Sequence, residues 1–218
     1  MKIFLDFDDC LFDTKTFIEN FRGVFAACGI PEEVQVSTAV VMKDGTVGGW
    51  YDPERHIALL AETCVFDHAQ LRTKIEAFLS DTERFLFPEV TDFLSLMTKC
   101  GHTLYILSYG DDNFQVKKIR GTGIDHFFEK IVVTREDKAL AMGSELGSGS
   151  DDVWFIEDRT GYIASVKKMW PHMRMVLLRR KEGRYYESDV PDGSCDFVAA
   201  NLAEAAGAIE GFVHSTGV

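Results

Sequence analysis

The chain has 218 residues, 46% hydrophobic and 27% charged, an ordinary globular balance that suits one large domain or a core with an insertion. A formal net charge of −12 argues against nucleic acid or an anionic membrane as a general ligand. No apolar run approaches a membrane span, the amino terminus reads without a leader, and five scattered cysteines form no CxxC pair, so reduced thiols in a cytoplasmic protein are expected.

The first element, Lys2 to Phe7, is short, aromatic and branched, and reads as a buried parallel strand. Helical spacing follows from Thr14 to Gly29, with apolar Phe17, Ile18, Phe21, Val24 and Phe25, and Gly29 and Pro31 end it. Glu32 to Met42 reads as a second helix. A glycine-rich loop with Trp50 and Tyr51 comes next, then helices over Pro53 to Cys64 and Asp67 to Ser80. No central strand is evident between about Asp13 and Phe87, which makes this a helical block. From Pro88 helices and strands alternate. The helix Glu89 to Cys100 leads to the strand Thr103 to Leu107, and the helix Asp112 to Arg120 to the strand Lys130 to Val133. A helix over Asp137 to Leu146 runs into Gly147-Ser148-Gly149-Ser150, read as a flexible connection. The strand Val153 to Ile156, the helix Tyr162 to Met169, strands at Met173 to Leu178 and Asp196 to Ala199, and an Ala-rich helix complete an α/β pattern.

Three of these strands end in polar residues suited to phosphate chemistry: Asp6 and Asp8, then Ser108, then Glu157 and Asp158. Open α/β sheets bind ligands beyond the carboxyl ends of their strands. Carboxylates gathered there suit a hard cation such as Mg2+. Ser108, with the backbone N–H groups of Tyr109 and Gly110 near a helix start, could hold phosphate oxygens. Lys138, which opens a helix just past a strand, supplies positive charge. Each feature alone has a plain structural reading as a turn, a helix cap or a surface lysine. Their ordered occurrence at four successive strand ends favours a site.

In these residues the chain resembles the haloacid dehalogenase-like hydrolase superfamily. Asp6-Phe7-Asp8-Asp9-Cys10 matches its DxDx(T/V) motif in all but the last position. Ser108 matches the second motif, and Lys138, 138 − 108 = 30 residues on, the third, with Lys117 and Lys118 as fallbacks. Phe155-Ile156-Glu157-Asp158 matches the fourth, in the Glu-Asp form of the phosphoglucomutase-like branch. Asp9-Cys10 departs from the Gly-Thr common in capped members, and Cys10 reads as a substituted supporting residue rather than a nucleophile.

The resemblance implies a Rossmann-like parallel-sheet core of about five strands, residues 1–13 and 88–218, with an α-helical C1 cap inserted over 14–87. It implies a Mg2+-dependent phosphatase acting on a small phosphorylated metabolite. Asp6 would be the nucleophile, forming an aspartyl-phosphate. Asp8 would be the acid and base, protonated beside an ionised Asp6. Asp6, the Asp8 carbonyl, Asp158 and Glu157 would hold the metal, and Ser108 and Lys138 the phosphate oxygens. Dehalogenation is disfavoured because the family's dehalogenases lack the second aspartate. A phosphomutase using the same intermediate, a phospho-accepting signalling domain and a non-catalytic binding protein are the alternatives. Within the cap, Trp50, Tyr51, Arg55 and His56 are candidates for substrate selection, with Gly45, Gly48 and Gly49 as hinges. The basic run from Lys167 to Arg184 reads as a solvated face. Nothing in the residues speaks to oligomeric state.

Overall fold

A computed structural model describes residues 1–44, 49–146 and 152–216. Gly45, Gly48 and the 147–150 connection lie outside the described residues.

Six parallel strands form one sheet: β1 (Lys2–Leu5), β2 (Thr103–Tyr109), β3 (Lys130–Thr134), β4 (Val153–Glu157), β5 (Arg174–Leu178) and β6 (Phe197–Ala199). The order is β3-β2-β1-β4-β5-β6. All six strands were read in the sequence, and the last of them, β6, is a three-residue edge strand that pairs Phe197–Ala199 with Val176–Leu178. Side chains alternate between the faces, as the two-residue period requires. Ile3, Leu5, Leu104, Ile106, Trp154 and Ile156 enter one buried cluster, while Phe4, Tyr105, Leu107, Val153 and Phe155 enter the other. Both faces are therefore covered, which is the usual condition of a parallel sheet and explains strands with almost no polar residue.

The helices are α1 (Thr14–Ala26), α2 (Glu32–Asp44), α3 (Pro53–Thr63), α4 (His68–Leu79), α5 (Val90–Lys99), α6 (Asp112–Arg120), α7 (Lys138–Leu146), α8 (Thr160–Met169) and α9 (Leu202–Thr216). The first four form a helical insertion between β1 and β2. Several starts are set by aspartate caps: Asp13 accepts from Thr16 N, Asp52 from Glu54 N, Asp67 from Gln70 N and Asp111 from Phe114 N. An aromatic cluster joins the insertion to α6. Phe17 of α1 lies 5.4 Å from Phe78 of α4 and 6.2 Å from Phe114 of α6, between ring centroids.

Two features aim the sheet's carboxyl edge. Leu5 pairs with both Ile106 and Ile156, so the residues after β1 lie level with the ends of β2 and β4. The chain winds outward from β1 in both directions, and this reversal is where an open α/β sheet forms its crevice. At the end of α6 the chain closes against the insertion: a Cβ on Gly121 would lie 1.9 Å from the Leu79 carbonyl oxygen. Gly121 O accepts from Thr82 N at 3.0 Å, and Thr82 Oγ1 donates to Lys118 O at 2.7 Å. That junction fixes the helix whose inner face reaches the site.

Candidate active site

The strand ends gather two charge clusters. In the first, Lys138 is 1% exposed and donates to Asp6 Oδ1 and Glu157 Oε2, both at 2.6 Å. Its ammonium lies 4.6 Å from the Tyr162 ring centroid. Glu157 Oε1 accepts from the backbone N–H groups of Asp158 and Arg159 at 3.1 Å each. Both Glu157 oxygens are thus engaged within the protein, so Glu157 serves as a counter-ion and loop staple rather than a presented metal ligand. The acidic ligand atoms that converge belong instead to Asp6 and Asp158, with the Cys10 thiol, all within 4.8 Å of one another. Lys138, not Lys117, stands at Asp6; Lys117 is an exposed partner of Glu76.

In the second cluster, Lys118 Nζ donates to Asp8 Oδ1 at 2.7 Å and Oδ2 at 2.9 Å. Thr14 Oγ1 donates to Oδ1 at 2.6 Å and Gln115 Nε2 to Oδ2 at 2.7 Å. Gln115 Nε2 also reaches Ser108 Oγ at 2.8 Å. Lys118 is buried among aromatic rings, 5.3 Å from Phe7 and 5.6 Å from Phe114. Gln115 and Lys118 are three residues apart and share the inner face of α6. Gln115 packs there because position 110 is glycine: Gly110 has φ 153, and a Cβ would sit 2.9 Å from Gln115 Cγ. The Gly110 N–H donates to Thr134 O at 3.0 Å. That corrects the expectation of a free N–H at this position. Ser108 is buried and shares the Gln115 amide with Asp8, while Tyr109 lines the adjoining cavity.

The electrostatics invert the expected order of the two aspartates. Burial, reinforced by Glu157, pushes Asp6 up to about 7 against the pull of Lys138. Burial would raise Asp8 too, but Lys118 and Thr14 override it and hold its carboxyl below the usual range. Asp8 therefore rests ionised and Asp6 carries the raised value. Burial and the neighbouring Glu157 and Asp6 raise Asp158 strongly. Three buried carboxylates against one ammonium leave a surplus of negative charge around Asp6 and Asp158. Hard oxygen donors with such a surplus fit Mg2+. Burial, with Asp158 and Asp6 nearby, pushes the Cys10 thiol well up, which keeps it protonated and a poor nucleophile.

The oddity at Asp9 has a structural cause. Asp9 has φ 59, the left-handed region where aspartate is tolerated better than most residues. Its buried carboxylate accepts from Arg184 Nε at 2.6 Å. Arg180 donates to the Cys10 carbonyl through Nε and Nη2 at 3.2 and 2.9 Å. The 179–196 segment thus reaches back onto the turn after β1. Arg180 and Arg184 are not the solvated face expected from sequence.

A cavity of about 440 Å3 adjoins Asp8 and runs beneath the insertion. Trp50, Tyr51 and His56 line it; Arg55 is exposed and is not among its described lining residues. His56 is a packed histidine. The Thr38 hydroxyl donates to Val34 O at 2.6 Å and so accepts from His56 Nε2 at 2.9 Å, leaving Nδ1 to accept from Tyr51 OH at 2.8 Å. Burial lowers its pKa from 6.5. As pH falls through 6.5 the unfolded chain takes the proton first, so stability is full above that value and declines below it. Urea midpoints at pH 7.5 and 5.5 are expected to diverge more for the natural chain than for His56→Gln; equal divergence would remove His56 from the account.

A sequence model described as haloacid dehalogenase-like hydrolase matches residues 3–172. The chain belongs to that family. The HAD-hydrolase YfnB of Bacillus subtilis, described as bound to magnesium, aligns over 96% of this chain and 98% of its own with a TM-score of 0.66 and 18% identity. A haloacid dehalogenase-like hydrolase from Burkholderia xenovorans LB400 aligns over 94% of each chain with a TM-score of 0.73 and 17% identity. The L-2-haloacid dehalogenase of Xanthobacter autotrophicus, with chloropropionic acid covalently bound, shares the fold at a TM-score of 0.62 and 13% identity, over 96% of this chain and 98% of its own. In sequence, the glyceraldehyde 3-phosphate phosphatase of Methanothermobacter thermautotrophicus is 25% identical over 146 residues, a match spanning 62% of each protein. No described helix is long and apolar enough to cross a membrane. Beside the aspartates, the lysine and the acidic strand end singled out in the sequence, the structure brings in Gln115, Lys118 and Arg184, which sequence reasoning largely missed. Lys118 had a signal as a fallback lysine; Gln115 and Arg184 had none.

Proposed function

We propose that this hydrolase is a Mg2+-dependent phosphomonoesterase that works through an aspartyl-phosphate on Asp6. The observation that carries the reading is the pairing of two carboxylates in different electrostatic states. Asp6 sits beside Lys138 and Asp158, and Asp8 is clamped by Lys118, Thr14 and Gln115 at the edge of a ligand-sized cavity. Asp6 and Asp158 would hold Mg2+, which when bound neutralises charge on a phosphoryl group. Lys138 keeps Asp6 oriented and adds positive charge for the phosphoryl oxygens. Asp6 then attacks phosphorus and the alcohol leaves; water later cleaves the acyl-phosphate and regenerates the carboxylate. In the first half Asp8 relays the proton of the monoanionic ester to the departing oxygen, so the alcohol leaves neutral; in the second its carboxylate takes the proton of the attacking water and passes it to the released phosphate. Helices α1–α4 act as the cap that shields these steps from bulk water. The phosphatase named among the sequence relatives supports this class. Asp8 weighs against a dehalogenase, because a departing halide needs no proton.

Release of inorganic phosphate from a panel of phosphomonoesters is expected with Mg2+ and not with EDTA, and halide release from 2-haloacids is expected to be absent. Phosphate release that persists in EDTA, or halide release alone, would sink the reading. A requirement for a bisphosphate activator would move it to the phosphomutase alternative.

A further inference from the structure

The cavity beside Asp8 is larger and more apolar than a short phosphorylated polyol needs. Its volume of about 440 Å3 lies in the range of pockets for drug-sized organic ligands, about 300–1,000 Å3. One wall is aromatic: Phe21 lies 5.8 Å from Tyr51 and 5.9 Å from Phe114, between centroids. A further part of the lining comes from α2, where Val36 and Val40 are four apart and lie on one side of the helix. Both line the cavity, yet they are 40% and 53% exposed. Branched aliphatics set one turn apart along a cavity wall offer a surface that an apolar ligand group would cover.

The charged end adjoining Asp8 carries Arg159 and Arg184, suited to attract an anion.

Resting on the phosphomonoesterase reading, we propose that the substrate is a phosphomonoester bearing an aromatic or heteroaromatic ring. The ring lies in the cavity against Phe21, Tyr51 and Phe114 and covers the Val36–Val40 stripe. The phosphate end lies toward Asp8. A three-carbon phosphate would leave the Val36–Val40 stripe uncovered.

The test uses the full chain with Mg2+ and two alkyl esters of matched leaving-group reactivity, 2-(1-naphthyl)ethyl phosphate and glycerol 3-phosphate. The naphthyl ester is expected to have a kcat/KM about tenfold or more higher. In Asp6→Asn, 2-naphthylmethylphosphonate is expected to bind about tenfold or more tightly than methylphosphonate by calorimetry. The double substitution Val36→Ser, Val40→Ser, at exposed positions, is expected to lower the naphthyl-to-glycerol ratio about fivefold, chiefly through KM. Glycerol 3-phosphate turned over equally or faster, or phosphonates bound without preference for the ring, would overturn the substrate class. No phosphate released from either ester, with ring-selective phosphonate binding retained, would leave the ring site standing and remove the phosphomonoesterase reading instead.

Discussion

Lys138→Met is expected to destabilise the protein by about 3–5 kcal/mol at pH 8 in metal-free buffer, the usual cost of removing one partner of a buried ion pair. The ammonium is the shared donor to Asp6 and Glu157, both buried, and methionine supplies neither charge nor hydrogen bond. The loss is expected to shrink toward pH 6. Asp6 is already pushed up to about 7, above its ordinary 3.8, and loss of Lys138 raises it further. A raised carboxyl makes stability fall as pH climbs from the unfolded value through the folded one, so the variant's deficit widens between pH 6 and 8. Turnover with Mg2+ is expected to fall by about 10²–10³, as when one electrostatic donor is lost from an active site. Lys117→Met is the control. Lys117 pairs with Glu76 on the surface, and its removal is expected to cost within about 0.5 kcal/mol. Urea titrations at the two pH values and phosphate-release assays read all three effects. A Lys138→Met protein as stable as the natural chain at pH 8 would remove the ion pair from the account.

What could be read in advance followed the range of the interaction. Lys2 to Leu5, Thr103 to Leu107 and Val153 to Ile156 announced themselves because both faces of a parallel sheet are buried, so each strand is a compact apolar run. Asp6, Ser108 and Asp158 stood out by contrast with those runs. Phe197–Ala199 was read as a strand but its place on the sheet edge was not, since order depends on pairings between distant segments. Gly110 was taken for a phosphate-binding turn because its neighbours fit one; its N–H goes to Thr134, a partner on β3. Gln115 could not have been singled out at all. A glutamine on an amphipathic helix is ordinary until Gly110 lets it approach Asp8, some hundred residues earlier in the chain. Arg184 was hidden for a related reason, since a basic run after a strand usually faces water. Only the left-handed turn at Asp9 turns it inward. His56 was offered for substrate selection, and what the sequence did not show is that its ring is held between Tyr51 and Thr38, the latter on a helix eighteen residues earlier.

Asp6→Asn is expected to abolish turnover and, in the absence of metal, to make the protein more stable. The first follows from the loss of the proposed nucleophile, the second from its burial. The residue is 5% exposed, and burial with Glu157 alongside pushes its carboxyl up to about 7. At pH 8 the folded state therefore holds an ionised group it disfavours, whereas the unfolded chain holds the same charge freely. Asparagine removes the charge at nearly constant shape, and its amide oxygen still accepts from Lys138. The net gain is expected to be about 1–2 kcal/mol at pH 8, less than the raw shift because Lys138 loses one of its two anionic partners. It should grow between pH 4 and 7 and level off above, since the natural chain's penalty accumulates across the interval between the unfolded and folded values. Adding Mg2+ is expected to reverse the order: binding stabilises only the chain whose ligand set is complete. A nucleophile kept at a cost to stability is what a site built for chemistry rather than for folding would carry. Urea midpoints in EDTA and in Mg2+, at pH 5 and pH 8, separate the two contributions. Residual turnover in Asp6→Asn would dismiss Asp6 as the nucleophile, and a metal-free variant less stable at pH 8 would dismiss the electrostatic cost assigned to it.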